Sequence, residues 1–168
     1  MYRLGSIAKT VTATAVLQLA EKGKLDLDAP VQRYVPSFPV KPWPLTCRQL
    51  LAHLGGVRWY EGGEMESTQH YRSVTDALAM FKDDPLAFEP GTAFLYTSYG
   101  YNLLGAAVEG ASGASYVEYV RRNVFAPAGM ERALSPPVRW ISRSARVDLP
   151  WSIWAMIEKL RMVERSVT

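Results

Sequence analysis

Ser6 and Lys9 lie three residues apart near the start of the chain, in YRLGSIAKTVTATAVLQLAEKGK. Residues i and i+3 share one face of an α-helix, so the lysine amine could point at the serine hydroxyl. A serine hydroxyl is a weak nucleophile near neutral pH and needs a base within hydrogen-bond reach. A lysine amine can be that base where burial or a nearby cation disfavours its charge. The pair is therefore a candidate for nucleophilic catalysis.

A structural explanation competes with this one. Serine is a frequent helix N-cap, a lysine one turn later is commonly solvated, and the spacing often arises by chance. On spacing alone, the structural explanation is favoured. His53 poses the same choice, because it could be a catalytic base at a helix end. A cap or a packing residue near the last carbonyl groups is the commoner function there, and we expect that for His53. His70 lies in a polar loop and is assigned no function.

The first of the elements that must position these residues is a helix over residues 6–22, where apolar residues recur with a helical period. Ser6 is its predicted N-cap and Gly23 its predicted stop. The proline-rich segment 24–44 follows and is predicted to be a turn and an extended surface segment.

Four further helices are predicted from capping residues and apolar periods. Their sequences are CRQLLAH after a capping box of Thr46 and Gln49, VTDALAMFK after Ser73, YGYNLLGAAVEGASG, and SYVEYVRRNVFAPAGM. CRQLLAH is expected to end at Gly55 or Gly56, and YGYNLLGAAVEGASG near Gly110 or Gly113. WSIWAMIEKLRMVE is a possible further helix near the end of the chain. Strand patterns are few, so the chain is predicted to be an all-α domain or the helical part of something larger.

The composition of the chain argues against several classes of partner. The 168 residues, 48% of them hydrophobic, suit one domain or a large piece of one, and the net charge is only +3. No basic stripe alternates with aromatic residues, so no nucleic acid partner is predicted. Two histidines and a lone cysteine, Cys47, lack ligand spacing, so we predict no metal site, no disulfide within the chain and no cofactor. No apolar run is long enough to span a membrane. Because the Ser6 motif comes almost at the start of the sequence given, no secretory signal is expected within it.

Longer sequence runs, which include the Ser6 and Lys9 pair, resemble the motifs of a known family. The run YRLGSIAKTVTATAVLQLAEKGKLDLDAPVQRYVPSFP resembles the opening motif of the serine β-lactamase and penicillin-binding protein superfamily, in its class C, esterase and D-peptidase (peptidase S12-like) branch. LTCRQLLAHLGGV is similar to the next signature, a helix ending in His-x-Ser-Gly, with Gly55 in place of the serine. FEPGTAFLYTSYGYNLLGAAVEGASG is similar to the second catalytic motif. The resemblance is closest to the mitochondrial-type branch and its bacterial relatives, and extends from Tyr2 to Ala133.

The resemblance implies functions for four residues. Ser6 matches the acylated nucleophile, Lys9 its partner base, and Tyr96 the tyrosine that shuttles a proton between nucleophile and leaving group. Ser98 takes the third place of the Tyr-x-Asn motif, where it would contact substrate. Class C enzymes have asparagine there, whereas the mitochondrial-type branch tolerates a small hydroxyl residue. The missing amide disfavours efficient β-lactam hydrolysis and leaves peptide or ester substrates open.

The fold that the resemblance implies is α/β, of the β-lactamase/transpeptidase type, with helices on an antiparallel sheet beside a helical lobe. We expect residues 1–133 to be a partial domain of this kind, mostly the helical lobe and the nucleophile helix, with most of the sheet missing. Residues 134–168 are predicted to be a divergent tail that arose from a truncation, a fusion or an altered reading frame. The third family motif, Lys-Thr-Gly or His-x-Gly, does not occur after Ala133.

Two functions therefore stand side by side. The first is a serine hydrolase that acts through an acyl-enzyme on an amide or ester, with a small-molecule or peptide substrate. The second is a catalytically incompetent fragment or a non-catalytic binding module of the same fold, which the missing third motif favours for this chain alone. The resemblance suggests an exported or periplasmic location in bacteria and a mitochondrial one in eukaryotes. The oligomeric state is left open.

Overall fold

The computed structural model describes residues 5–67, 69 and 71–130. The predicted tail 134–168 with its possible helix, and His70, lie outside the described residues, so the division of the chain at residue 133 stays a prediction. The α-helices of the described part are α1 (Ala8–Glu21), α2 (Cys47–Leu51), α3 (Val74–Ala77), α4 (Ser98–Ser112) and α5 (Tyr116–Val120). Short 3-10 turns occur at Gly5–Ile7, Val31–Arg33, Glu64–Glu66 and Leu78–Met80, and α5 continues as a π-helical turn over Arg121–Phe125.

Helix α4 lies at the centre of the described part, and α1, α2, α3 and α5 all pack against it. Its buried residues include Leu103, Leu104 and Val108, each 0% exposed. Helix α1 contributes Val16 and Leu19 to the same core. Burial of each such side chain contributes about 1.5–3 kcal/mol, so the α1–α4 contact is held firmly. This packing brings residues near the start of α1 next to the start of α4.

No β-strand occurs among the described residues, where an isolated bridge joins Pro30 to Thr46. None of their helices combines the length and the apolar character that a membrane crossing requires. The longer regular elements of the described residues are thus all helices, as the sequence predicts.

Helix α1 ends as predicted but begins differently. Gly23 adopts a left-handed φ of 65°, and its N–H donates to the carbonyl of Ala20 at 2.9 Å, as in a glycine-ended helix. The predicted stop is confirmed. Ser6, in contrast, is not the N-cap, because it lies in the 3-10 turn before α1, and Ile7 at the cap position has no side-chain cap. The Ser6 hydroxyl is instead engaged by Lys9 and Tyr96.

The predicted starts of the later helices are confirmed. Thr46 and Gln49 form the complete capping box of α2, and Ser73 accepts a hydrogen bond at the start of α3. Their ends come earlier than expected. Helix α2 stops at Leu51 rather than at the glycines, because His53 turns the chain with a left-handed φ of 59°. Helix α3 ends at Ala77 and tightens into a 3-10 turn.

Helix α4 runs to Ser112 and ends at Gly113, which has a φ of 70°. Gly110, the other predicted end, lies within the helix. A Cβ atom there would collide with the carbonyl oxygen of Tyr34, so glycine permits the close approach of the proline-rich segment to α4.

The surface location predicted for the proline-rich segment 24–44 is wrong for most of its apolar residues, although Val40 is 87% exposed. Val31 is 0% exposed, and Leu25 and Phe38 are 2% exposed. The prolines prevent a regular helix but leave the apolar side chains free to enter the core. The segment therefore completes the core around α4 instead of covering its outside.

Candidate active site

Ser6 and Lys9 come together as their spacing predicts. Ser6 lies in the 3-10 turn that leads into α1, and Lys9 is the second residue of that helix. The Lys9 Nζ atom lies 3.4 Å from Ser6 Oγ, at the long end of hydrogen-bond reach. The turn exposes Ser6 to solvent, while Lys9 is half-buried.

Lys9 also reaches the start of α4. Its Nζ atom donates a hydrogen bond to the hydroxyl of Ser98, the first residue of that helix, at 3.1 Å. The ammonium group therefore bridges two residues that are 89 positions apart in the chain. The packing of α1 on α4 makes this bridge possible, so the core of the described part and the geometry of the candidate site depend on each other.

Tyr96 completes the group. Its hydroxyl donates to Ser6 Oγ at 2.7 Å, and Lys9 Nζ lies 4.7 Å from the centre of its ring. The distance falls within the roughly 2.6–3.2 Å in which a side chain can exchange a proton with a nucleophile. The phenol is 38% exposed, so one side of it is open to a ligand. All four residues singled out in the sequence, Ser6, Lys9, Tyr96 and Ser98, thus lie in one cluster.

The cluster shifts the acidity of the phenol. Burial acts to raise the pKa of Tyr96, but its hydroxyl contacts with Lys9 and Ser6 and the nearby Lys9 charge prevail and lower that pKa below its ordinary value. Tyr101, whose hydroxyl donates to the carbonyl of Leu51, is affected in the opposite direction. Burial, followed by the proximity of Tyr96, raises the pKa of Tyr101. Tyr96 is therefore the more readily ionised of the two phenols beside Lys9.

His53 lies behind Tyr96 and serves the segment that carries it. Its ring centre is 4.5 Å from that of Tyr96, its Nδ1 atom accepts from the N–H of Thr97 at 3.3 Å, and its carbonyl accepts from the N–H of Leu95 at 3.0 Å. Burial, and then the Lys9 charge, lower the pKa of His53. These contacts match the structural function expected for His53 rather than that of a base on Ser6.

A second support was not foreseen from the sequence. Arg58 binds Glu64 at 2.7 Å and Asp84 at 2.6 Å, and Tyr99 donates to Glu64 at 2.9 Å. The Arg58 carbonyl accepts from the hydroxyl of Thr97, the residue that follows Tyr96. Arg58 and the other contacts of Glu64 lower the pKa of that carboxyl to about 2. The only sequence signal was the i, i+3 and i+6 spacing of opposite charges at positions 58, 61 and 64.

The aromatic residues divide between the site and the core. Trp59 is 40% exposed, with its ring centre 5.9 Å from that of Tyr96, and Tyr60 packs edge-on against Trp59. Tyr99 is buried and stacks on Phe81 at 4.3 Å. Trp59 and Tyr60 therefore form part of the rim of the site, and Tyr99 belongs to the core.

The arrangement is suited to acyl transfer. A serine oxygen receives two hydrogen bonds, from a lysine and from a phenol with a lowered pKa, and solvent reaches it from the open side. Such a group can remove the serine proton as the oxygen attacks a carbonyl carbon. Among the described residues, no three His, Cys, Asp or Glu side chains lie close enough to hold a metal ion.

Comparison with known proteins gives a consistent result. The family model described as Beta-lactamase matches residues 1–152. The serine beta-lactamase-like protein LACTB, mitochondrial, of Homo sapiens is 31% identical over 71% of this chain and 35% of its own length. Penicillin-binding protein 4* of Bacillus subtilis (strain 168) is 34% identical over 81% of this chain and 32% of its own. The chain thus spans about a third of these curated relatives.

A solved structure agrees with the curated relatives. The crystal structure of a penicillin binding protein from Bacillus halodurans superposes with a TM-score of 0.62 at 38% sequence identity. The match covers 73% of this chain and 40% of that one.

Proposed function

This chain belongs to the beta-lactamase family, and we propose that it is part of a serine hydrolase that acts on amides or esters through an acyl-enzyme at Ser6. One observation carries the proposal: the Tyr96 hydroxyl lies 2.7 Å from Ser6 Oγ, with Lys9 contacting both residues. Since the chain spans about a third of its curated relatives, the activity of a whole protein of this kind is part of the proposal.

The fold agrees with family membership. The predicted α/β fold of the β-lactamase/transpeptidase type is confirmed by the solved relatives, and the helices described here correspond to its helical part. In this setting α1 and α4 are the two helices whose starts meet at Lys9 and Ser98.

In the proposed acylation, the ionised form of Tyr96 accepts the proton of Ser6 across the 2.7 Å contact. The Ser6 oxygen then forms a bond to the substrate carbonyl carbon, and the electron pair of the carbonyl moves to its oxygen. The lowered pKa of Tyr96 supports this, because a larger fraction of the phenol is ionised near neutral pH. Lys9, 4.7 Å from the ring centre, offsets the negative charge of the phenolate.

Collapse of the tetrahedral intermediate restores the carbonyl and breaks the bond to the leaving group. Tyr96 returns its proton to the departing nitrogen or oxygen, so the amine or alcohol leaves neutral. Water then attacks the acyl carbon and gives a proton to Tyr96. The bond from Ser6 Oγ to that carbon breaks, Tyr96 passes the proton to Ser6 Oγ, and the acid is released. Lys9, which the family resemblance makes the partner base, supports this exchange as a cation that donates to Ser6 Oγ and lies beside the Tyr96 ring.

Ser98 is the proposed substrate contact. Its oxygen accepts from Lys9 at 3.1 Å, which leaves its own O–H directed elsewhere and able to donate to a substrate carbonyl. A hydroxyl offers one donor where an amide would offer two donors and an acceptor. We therefore favour simple esters and peptides over β-lactams as substrates.

A non-catalytic binding module is the second candidate. Ser6 is exposed and Tyr96 is 38% exposed, so water has access to a contact that a hydrolase would shield in the transition state. A binding module would take up the same ligands without turnover.

The two candidates are separated by measuring hydrolysis of a p-nitrophenyl ester, a D-alanyl peptide and a chromogenic β-lactam by the 168-residue chain. Ser6→Ala is the test variant and Ser37→Ala, at an exposed serine outside the site, is its matched control. The proposal predicts ester or peptide turnover that Ser6→Ala abolishes and Ser37→Ala retains. Saturable binding with no turnover in any of the three proteins would support the binding module instead.

A further inference from the structure

His53 occupies a backbone position that favours glycine. It follows the end of α2 with a left-handed φ of 59°, the only non-glycine residue of the described part with a positive φ. Its N–H donates to Leu50 at 3.2 Å and the N–H of Leu54 donates to Gln49 at 2.8 Å, which is the pattern of a glycine-ended helix. A histidine in this conformation is strained, and such strain is kept where the side chain has a use.

The contacts of His53 reach three consecutive residues. Its carbonyl accepts from Leu95, its ring packs on Tyr96, and its Nδ1 atom accepts from the N–H of Thr97. The hydrogen bonds to the backbone on either side of Tyr96 fix the position of its Cα atom. The ring contact limits the rotation of its side chain. The Tyr101 ring, 5.0 Å away, and the Phe94 ring, 5.9 Å away, enclose the imidazole further.

We propose that His53 is the positioning residue for Tyr96, which through these three contacts keeps the phenol oxygen within reach of Ser6. This inference rests on the proposed function for its effect on catalysis. The inference goes further in assigning His53 an effect on catalysis that it exerts only through the residues that it contacts, and not as a base on Ser6.

The contact requires a neutral imidazole. Nδ1 accepts from the N–H of Thr97, so the ring proton lies on Nε2. If Nδ1 were also protonated, it could no longer accept this hydrogen bond, and its N–H would face the N–H of Thr97. The titratable groups around the ring are Lys9 of α1, Tyr96 of the held segment and Tyr101 of α4. Burial and the Lys9 charge lower the pKa of His53, which keeps the imidazole neutral at pH 7.

Two substitutions separate the side-chain acceptor from the backbone strain. His53→Asn and His53→Gly both accept the left-handed backbone, but only asparagine places an oxygen where Nδ1 accepts. We expect His53→Gly to acylate Ser6 roughly 10- to 100-fold more slowly, since displacement of a reacting group by about 1 Å can cost 10²-fold. We expect His53→Asn to stay within about threefold of the unsubstituted chain. Val120→Ala, which trims a buried core residue of α5, is the control for a general loss of stability.

The pH profile gives a readout that general destabilisation would not move. Because ionised Tyr96 is the proposed base, acylation falls towards acidic pH in every variant. In the unsubstituted chain it should fall more steeply as His53 gains a proton, with the midpoint of this extra fall below the ordinary histidine pKa of about 6.5. His53→Asn should lack the extra fall. Equal rates for the glycine, asparagine and unsubstituted chains, or an acid limb unchanged in His53→Asn, would overturn the inference.

A measurement without catalysis keeps the two proposals apart. The pKa of Tyr96 can be followed by NMR of chains with ¹³C-labelled tyrosine, with Tyr96→Phe to assign the signal. If His53 positions Tyr96, His53→Gly should raise the pKa of Tyr96 towards the ordinary value of about 10, because the phenol would move away from Lys9 and Ser6. If the unsubstituted chain is inert but the pKa responds, the proposed function fails and the positioning inference stands. If the chain is active and the pKa of Tyr96 is the same in all variants, the positioning inference is wrong.

Discussion

Glu64→Gln should reveal how much the Arg58 network stabilises the support of the candidate site. The Glu64 carboxylate accepts two hydrogen bonds from Arg58, at 2.7 and 2.9 Å, and one from the Tyr99 hydroxyl at 2.9 Å. The Arg58 side chain is 15% exposed and that of Glu64 is 23% exposed. The substitution removes the negative charge and leaves the guanidinium group of Arg58 with Asp84 and the carbonyl groups around it.

The magnitude follows from the acidity of Glu64. Its pKa falls from about 4.3 in an unfolded chain to about 2 in the folded one, and each pKa unit corresponds to about 1.4 kcal/mol. The full difference of about 3 kcal/mol is reduced to about 2 kcal/mol because water partly screens the pair. Since the folded pKa is lowered, this stabilisation is complete above about pH 4.3 and is lost as the pH falls towards 2.

The assay is urea unfolding of both proteins at pH 7 and at pH 3, with Glu61→Gln as the matched control. Glu61 is 74% exposed and lies 3.9 Å from Arg58, so its loss should change the free energy of unfolding by less than about 0.5 kcal/mol. Glu64→Gln should lose about 2 kcal/mol at pH 7 and less than about half of that at pH 3. The reasoning is refuted by a loss that is equal at the two pH values, or by one no larger than that of Glu61→Gln.

Two further predictions concern the phenol and the close approach to α4. Tyr96→Phe should slow acylation of Ser6 by roughly 10²–10⁴-fold in stopped-flow measurements while leaving the thermal midpoint nearly unchanged; Tyr60→Phe is the control, and an unaltered rate in Tyr96→Phe would reduce that residue to packing. Gly110→Ala should lower the free energy of unfolding by about 1–3 kcal/mol or more, because the new methyl group meets the carbonyl of Tyr34. Gly63→Ala, with open space around it, should change little, and equal stability of the two alanine variants would contradict the explanation.

The sequence predicted the helix ends well where those ends depend only on residues a few positions away. Gly23 ends α1 and Thr46 caps α2 because a left-handed glycine and a capping hydroxyl act on neighbouring backbone groups. The predicted end of α2 is wrong because the turn is made by His53, and a positive φ is uncommon in any residue other than glycine.

Contacts between distant residues explain the other differences. Serine is a good N-cap residue, but the Ser6 hydroxyl hydrogen-bonds to the hydroxyl of Tyr96, 90 positions away, and does not cap the helix. The Arg58 network also joins residues 26 and 35 positions apart, and the charge spacing at positions 58, 61 and 64 says nothing about these distant partners. The four candidate site residues were proposed from similarity of motifs, since spacing alone favoured a structural explanation for Ser6 and Lys9. Their proximity in space depends on the packing of α1 on α4, which no local pattern specifies.

The central claim is that Ser6 is the residue that becomes acylated. It is tested most directly by treating the 168-residue chain with a fluorophosphonate and, separately, with an activated ester, and then locating the adduct by peptide mass spectrometry. The account predicts one adduct per chain, on Ser6, that is absent from Ser6→Ala and slowed in Tyr96→Phe. An adduct on another serine, labelling that survives Ser6→Ala, or no adduct at all would contradict it.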